Sequence, residues 1–334
     1  MTTIKDIAKL ANVSPSTVSR VISGNSRISL STQNKIKKIM TELDYQPNKA
    51  ARTLVTQKSK TIGIIHKNGE FTTLQNPFII DVLSGVFLVC KINGYGTIAT
   101  TATDPIDIIS EVKEMIFYHS VDGFILLYSK ENDEIINILE KQSIPYVVIG
   151  KPIHAQNTVS VDNDNITASA QLTQYLIELG HIDFLFIAES ERFEVVKDRV
   201  KGHEDTLKNA QLIPHVVYLQ MNQAVIFEYL KQLHYEHRLP TIIITSDTMI
   251  NHMVLSTLYE LSLHIPKDIQ TATFNDSYIN AFASPPQTTV DIHPQLLGET
   301  AGKAIMQLLN QEQIEQVNHI IQTDIITRTS TQRL

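Results

Sequence analysis

The chain has 334 residues, room for two or three domains, and at 43% hydrophobic and 19% charged it has an ordinary globular composition. It opens MTTIKDIAK with no apolar signal core, no apolar run approaches the roughly 18 residues of a membrane span, and Cys90 is its only cysteine, so the expectation is a cytoplasmic protein without internal disulfides. The net charge of −7 alone argues against nucleic acid, yet residues 1–60 hold 11 Lys/Arg against 3 Asp/Glu while the remainder hold 17 against 32. A basic head on an acidic body points to a head that meets a polyanion; a merely solvated basic surface would give the same count.

The first 45 residues read as three helices. Thr3 caps the first, with Asp6 three residues on. Ser14 caps the second, with Pro15 at the first helical position, where its missing N–H costs nothing. The third runs from about Ser31 to Leu43 and aligns Ile36, Ile39, Met40 and Leu43 on one face. Short Asn48–Leu54 and a polar stretch to Lys60 follow. From Thr61 the pattern becomes strand–helix alternation. Expected strands are Thr61–Ile65, Thr97–Thr100, Gly123–Leu127, Tyr146–Ile149, Phe184–Ile187, Val216–Leu219, Thr241–Ile244 and Thr271–Phe274. Helical stretches include Pro77–Lys91, Ile106–His119, Ile166–Leu179, Lys197–Asn209 and Thr248–Leu261. This alternation predicts parallel sheets covered on both faces. About ten strands are too many for one open sheet of ordinary size, so two doubly wound lobes with a cleft between them are expected.

Two short helices joined by a tight turn form a helix-turn-helix. Ala8 is small where the helices cross, and Asn12 suits a left-handed turn. Val18 returns to the core with Val13, Val21 and Ile22, leaving Pro15, Ser16, Thr17, Ser19 and Arg20 outward. That face has no acid and ends in a guanidinium able to pair bidentately with guanine; a small helical subdomain with a polar face would look similar. Leu54 has no local core, and a linker helix that folds on DNA and wedges this leucine into the minor groove would explain it, as would packing on the body.

The segments TIKDIAKLANVSPSTVSRVISG, LDYQPNKAARTL and KTIGII resemble bacterial repressors of the lactose/galactose repressor (LacI/GalR) family. So do VDGFILL at 121–127, ELGH at 178–181, DRVKGH at 198–203, SD at 246–247, TFND at 273–276 and PPQTTVDIHPQLLG at 285–298, in family order over essentially the whole chain. The resemblance implies a helix-turn-helix head over residues 1–46, a hinge helix and linker over 47–60, and a periplasmic-binding-protein-like, sugar-binding and dimerising body over 61–334. It implies a homodimer on a palindromic operator. Pro15, Ser16 and Arg20 would stand at base-reading positions and Thr17 at a phosphate contact; Asn48, Ala51 and Leu54 would act from the hinge, Leu54 by insertion. Pro15 replaces a more usual polar or aromatic reader. Within the family the likeness is greatest to maltose-operon repressors of Gram-positive bacteria, on SPSTVSRVI, QNPF at 75–78, GK at 150–151, VDNDN at 161–165 and VVKDRVKGH at 195–203. Maltose or a maltodextrin is therefore the expected effector.

A sugar site needs planar hydrogen-bonding groups for hydroxyls and an aromatic face for the ring. Arg199 stands at the family's ligand-binding arginine; Asp247 and Asn275 follow strand ends; Phe78 and Phe193 are the candidate stacking faces. Arg199 and Asp247 could instead form a structural ion pair or a cap, Asn275 could simply end its strand, and Phe78 could fill the core. No cofactor or metal is expected. Gly94-Tyr95-Gly96 precedes a strand where a dinucleotide fingerprint would follow one, and Asp162–Asn165 lacks the glycine and glutamate of a calcium loop. The family resemblance implies that this segment is a lobe crossover near the ligand cleft. His234 and His237 have no third metal ligand. No catalytic acid/base set converges, so an enzyme is not expected. A free sugar-binding protein would leave residues 1–60 unexplained. A catabolite-control regulator answering to a phosphorylated carrier protein remains the closer alternative. No leucine heptads follow Thr323–Arg328, which favours a dimer over a coiled-coil tetramer.

Overall fold

The computed structural model describes residues 2–22, 27–45, 58–66, 76–102, 104–151 and 158–332. The hinge candidates Asn48, Ala51 and Leu54 lie outside the described residues. The chain divides into two compact units, Met1–Ser59 and Lys60–Leu334.

The first unit holds α1 (Ile4–Ala11), α2 (Pro15–Ile22) and α3 (Leu30–Glu42). Helices of eight residues do not hold alone; here a shared core and their caps hold them. Ile7, Ala8, Ala11, Val18, Val21 and Ile36 form that core, with Val13, Ile22, Ile39, Met40 and Leu43 packed around it. Thr3 and Asp6 make the expected capping box. Asn12 has φ 56° and ends α1 in the left-handed region, the conformation its side chain tolerates. Ser14 Oγ accepts from Thr17 N at 3.2 Å and caps α2.

The second unit contains two six-stranded sheets. The first lobe is built on β1 (Thr61–Ile65), β2 (Gly96–Ala99), β3 (Gly123–Leu126), β4 (Tyr146–Ile149), β5 (Val159–Asn163) and β11 (Asn318–Ile321), in the order β11-β5-β4-β3-β1-β2, all parallel. The second uses β6 (Phe184–Ala188), β7 (Val216–Tyr218), β8 (Ile242–Thr245), β9 (Gln270–Phe274), β10 (Thr288–Asp291) and β12 (Asp324–Ile326) in the order β12-β10-β9-β8-β6-β7, with only β12 antiparallel. The eight expected strands are all present with ends shifted by a residue or so; β5, β10, β11 and β12 complete the set.

Helices cover both faces, which is why the central strands read as continuous apolar runs. In the first lobe α5 (Pro105–Phe117) and α6 (Glu134–Lys141) seal one face over Ile108, Val112, Phe124, Leu126 and Leu139. α4 (Pro77–Ile92) and α12 (Pro294–Leu309) cover the other. α4 and α12 cross backbone to backbone: a Cβ on Gly298 would lie 1.9 Å from Val82 O and one on Gly85 2.1 Å from Gln295 O. In the second lobe α9 (Gln223–Tyr235) and α10 (Thr248–Glu260) seal one face over Leu185, Ile187, Ile243 and Val254. α7 (Asn165–Glu178) and α8 (Glu194–Asn209) pack together on the other, and a short α11 (Tyr278–Ala281) follows β9.

The chain passes between lobes three times: after β5, after β10, and between β11 and β12. One side chain ties the three passages. Asn163 Nδ2 donates to Ile292 O, just past β10, at 3.1 Å and to Ile321 O, at the end of β11, at 2.9 Å, using both amide hydrogens.

Candidate functional site

In the head, Pro15, Ser16, Ser19 and Arg20 are exposed and Thr17 is half-buried. Ser14 Oγ bonds Ser16 Oγ at 2.7 Å and Thr17 Oγ1 at 2.9 Å, so the cap also fixes the two hydroxyls at the start of α2. No acid stands in the first turn of α2, and its last turn carries Arg20. The result is an outward helix face of hydroxyls and one guanidinium, with the positive end of the helix dipole nearby: suitable chemistry for phosphate and base edges.

In the body, Arg199, Asp247 and Asn275 converge. Arg199 is 4% exposed on α8. Its Nε donates to Asn165 Oδ1 at 3.0 Å, Nη1 to Ser246 O at 2.7 Å and Nη2 to Asn275 Oδ1 at 3.1 Å. Its guanidinium lies 4.4 Å from the Phe274 ring centroid. Burial pushes the Arg199 pKa down to about 10, opposed by the charges of Asp247, Asp162 and Glu189. Asn275 has φ 67°, a left-handed position that asparagine accepts. Its Nδ2 donates to Asp247 Oδ2 at 2.9 Å. Asp247 Oδ1 caps α10 by accepting from Met249 N at 2.7 Å. Thr248 Oγ1 donates to Asn275 O at 2.7 Å and locks the ends of β8 and β9 together.

The network crosses to the other lobe. Asn76 caps α4, accepting from Phe78 N at 3.1 Å, while its Nδ2 donates to Asp247 Oδ2 at 3.0 Å. Asp162, at the end of β5, accepts from Asn163 N at 2.8 Å and from Asn165 Nδ2 at 3.1 Å. Burial, with Asp198 adding to it, raises the Asp162 carboxyl to about 6 against the hydrogen bonds and Arg199. The Asp162–Asn165 segment thus ends a strand and opens α7 at a lobe crossover, as its crossover reading requires.

The aromatic candidates are less central. Phe78 lies in the first turn of α4 and Phe193 at the N-cap of α8; each is half-buried and packs on the shared core. In the sequence Asn76, Asn165, Ser246 and Phe274 stand only inside longer segments, QNPF, VDNDN, SD and TFND, with no ligand role of their own. Their roles follow from the fold, because each stands at a strand end or helix start that the topology brings to the cleft. Among the described residues no group of three or more His, Cys, Asp or Glu is placed to hold a metal ion, and no helix is long and apolar enough to cross a membrane.

A helix-turn-helix head joined to two parallel-sheet lobes, with buried polar groups converging between them, defines a DNA-binding regulator with an effector-binding body. Residues 3–48 match the bacterial regulatory proteins of the lacI family, and residues 173–331 match the periplasmic binding protein-like domain. The chain is 56% identical over 332 residues to the HTH-type transcriptional regulator MalR of Staphylococcus xylosus, covering 99% of this chain and 98% of that protein. The chain belongs to the lacI family. Among solved structures it resembles a staphylococcal protein described as a probable maltose operon transcriptional repressor, with TM-score 0.79, 42% identity, and coverage of 84% of this chain and 100% of that one. It also shares the fold of the lac repressor dimer bound to operator and an anti-inducer, with TM-score 0.85, 21% identity and 99% coverage of each chain.

Proposed function

We propose that this regulator represses a sugar-utilisation operon as a homodimer on a palindromic operator, and that maltose or a maltodextrin bound between the lobes releases it. The observation that carries the reading is the chain of contacts Arg199–Asn275–Asp247–Asn76, in which planar donors and acceptors from both lobes meet at one place. Among the described residues three of the five guanidinium N–H groups of Arg199 are engaged, and the other two are the ones that would meet sugar hydroxyls. Phe78 and Phe193 supply apolar faces for a sugar ring. A ligand held by both lobes shifts their equilibrium, and operator and effector then weaken one another by the same factor. The likeness to the probable maltose operon transcriptional repressor supports this sugar class.

On the DNA side Pro15, Ser16 and Arg20 read bases, Thr17 meets a phosphate, and Asn48, Ala51 and Leu54 act from the hinge, Leu54 by wedging into a minor-groove step. Ile80, Phe87, Leu88 and Ile92 on α4 and Ile98 on the edge strand β2 remain exposed, a stripe suited to a second copy of the chain. The rival regulator that docks a phosphorylated carrier protein needs a basic face; the balance of 17 Lys/Arg against 32 Asp/Glu beyond residue 60 weighs against it.

The test is a single variant in α2. Arg20→Ala is expected to lose specific operator binding while its maltose affinity stays that of the wild type. Operator binding that survives Arg20→Ala at wild-type affinity contradicts the reading of α2.

A further inference from the structure

The lobes meet at a second place. Lys151 follows β4 in the first lobe and reaches α8 in the second. Its Nζ lies 3.0 Å from Asp198 Oδ1, 3.1 Å from Asp198 Oδ2 and 3.9 Å from Glu194 Oε2. The carboxylate side chains of Asp198 and Glu194 are only 14% and 12% exposed, that of Lys151 46%. A second pairing runs in reverse: Lys197 on α8 meets Glu194 at 2.7 Å and Glu131 of the first lobe at 3.9 Å.

The backbone that presents Lys151 is fixed. Gly150 has φ +129°, which L side chains rarely adopt, and a Cβ there would lie 2.9 Å from Ser129 Cβ. Ser129 Oγ donates to Lys151 O. Only the lysine side chain therefore has to span the cleft.

Glu194 and Asp198 stand four residues apart on one helix, a spacing at which like charges repel. Asp162 brings a third carboxyl close by, pushed toward its protonated form by burial first and by the charge of Asp198 in addition. Separating the lobes would withdraw the ammonium from two nearly buried carboxylates and leave Lys197 paired with Glu194, with no contact of that lysine to Asp198. Such a pair is screened less than one in open solvent.

We infer that Lys151 is an effector-response residue acting across the cleft: its ion pair with Asp198 and Glu194 sets how readily the lobes separate and hence how tightly a sugar is held between them. It is a positioning residue and needs no contact with the sugar. The consequence for affinity rests on the sugar-released reading above; the effect on the lobes does not.

Hydrogen exchange on the full chain, without sugar, tests it at the second and third crossovers, peptides spanning 290–296 and 319–326, which contain no member of the ion pair. Lys151→Met is expected to speed exchange there by about threefold to tenfold, and Lys151→Arg to leave it near wild type. Lys151→Glu combined with Asp198→Lys should return toward wild type relative to Lys151→Glu alone. About 0.5 M salt should speed the wild type more than Lys151→Met, which keeps only the exposed cross-lobe pair of Lys197 with Glu131. Unaltered exchange in Lys151→Met, or a charge swap no better than Lys151→Glu, overturns the inference. Maltose titration gives the second reading. Lys151→Met should raise Kd by about threefold to tenfold, and an unchanged Kd beside faster exchange overturns the effector role. If the wild type does not bind maltose, the sugar reading fails and the exchange result alone decides the latch.

Discussion

Asn275 uses both ends of its amide, donating from Nδ2 to Asp247 Oδ2 at 2.9 Å while Oδ1 accepts from Arg199 Nη2 at 3.1 Å. Asn275→Asp would keep the acceptor for Arg199 but set two carboxylates against each other. One of them would then hold its proton above the ordinary range. Such a group makes the folded state bind more protons than the unfolded chain, so the variant's stability should rise as pH falls from about 7.5 to 5 relative to wild type. At neutral pH we expect a loss of about 1–3 kcal/mol, recovered in part by Asp247→Asn in the same chain. Urea midpoints at the two pH values check both.

Asp162 carries a pH dependence of its own. Its carboxyl keeps a proton up to about pH 6 in the folded chain, whereas an unfolded aspartate releases it near pH ~3.9. Between those values the folded state binds the extra proton, so this contribution is present at low pH and is lost as pH rises through 6. Asp162→Asn should therefore be more stable than wild type above that pH by about 1–3 kcal/mol, with the gap closing below pH ~4. Thermal unfolding across that range measures it.

Arg328 and Asp276 hold the C-terminal segment to the second lobe. Arg328 donates from Nη1 to Asp276 Oδ1 at 2.7 Å and from Nη2 to Oδ2 at 2.9 Å, and Thr289 Oγ1 adds a bond to Oδ1 at 2.8 Å. Burial pushes the Asp276 carboxyl up, but these bonds outweigh it and hold it below the usual range. The stability it contributes is present above the unfolded pKa and disappears as pH falls through the folded one. Arg328→Ala should cost about 2–4 kcal/mol at neutral pH and remove that acid lability, as denaturant titrations at pH ~7 and ~3 would report.

The crossing of α4 and α12 has no room for a methyl group. Gly298→Ala would place Cβ 1.9 Å from Val82 O, and neither backbone can yield without moving its helix. We expect a loss of about 2–4 kcal/mol in unfolding free energy. α4 also begins with the Asn76 cap, so the displaced helix should lose its bond to Asp247. Near-wild-type stability in this variant would contradict the close crossing.

Much of this was legible in the sequence because local and global signals agreed. Thr3, Asn12, Ser14 and Pro15 announced the head through capping and turn chemistry that acts within four residues. Apolar strands such as Phe184–Ala188 announced the sheets. β10 was missed because its threonines look polar, yet Thr288 and Thr289 are fully buried. Their hydroxyls are satisfied inside the lobe: Thr288 bonds Thr331 Oγ1 at 2.7 Å, and Thr289 bonds Asp276. A hydropathy pattern cannot foresee that pairing. At the site, Arg199, Asp247 and Asn275 were legible from the family likeness and from strand ends. Asn76 meets Asp247 across 171 positions, and Lys151 meets Asp198 across 47. Contacts between two lobes leave no periodic trace along the chain.

The most direct measurement is fluorescence anisotropy of the full chain on a family-type palindromic operator, over a salt series, with and without maltose. The account predicts tight binding that falls steeply with salt and is weakened by maltose. Tight binding indifferent to maltose would contradict the effector, and absence of specific binding to any palindrome, including sites selected from random DNA, would contradict the central claim.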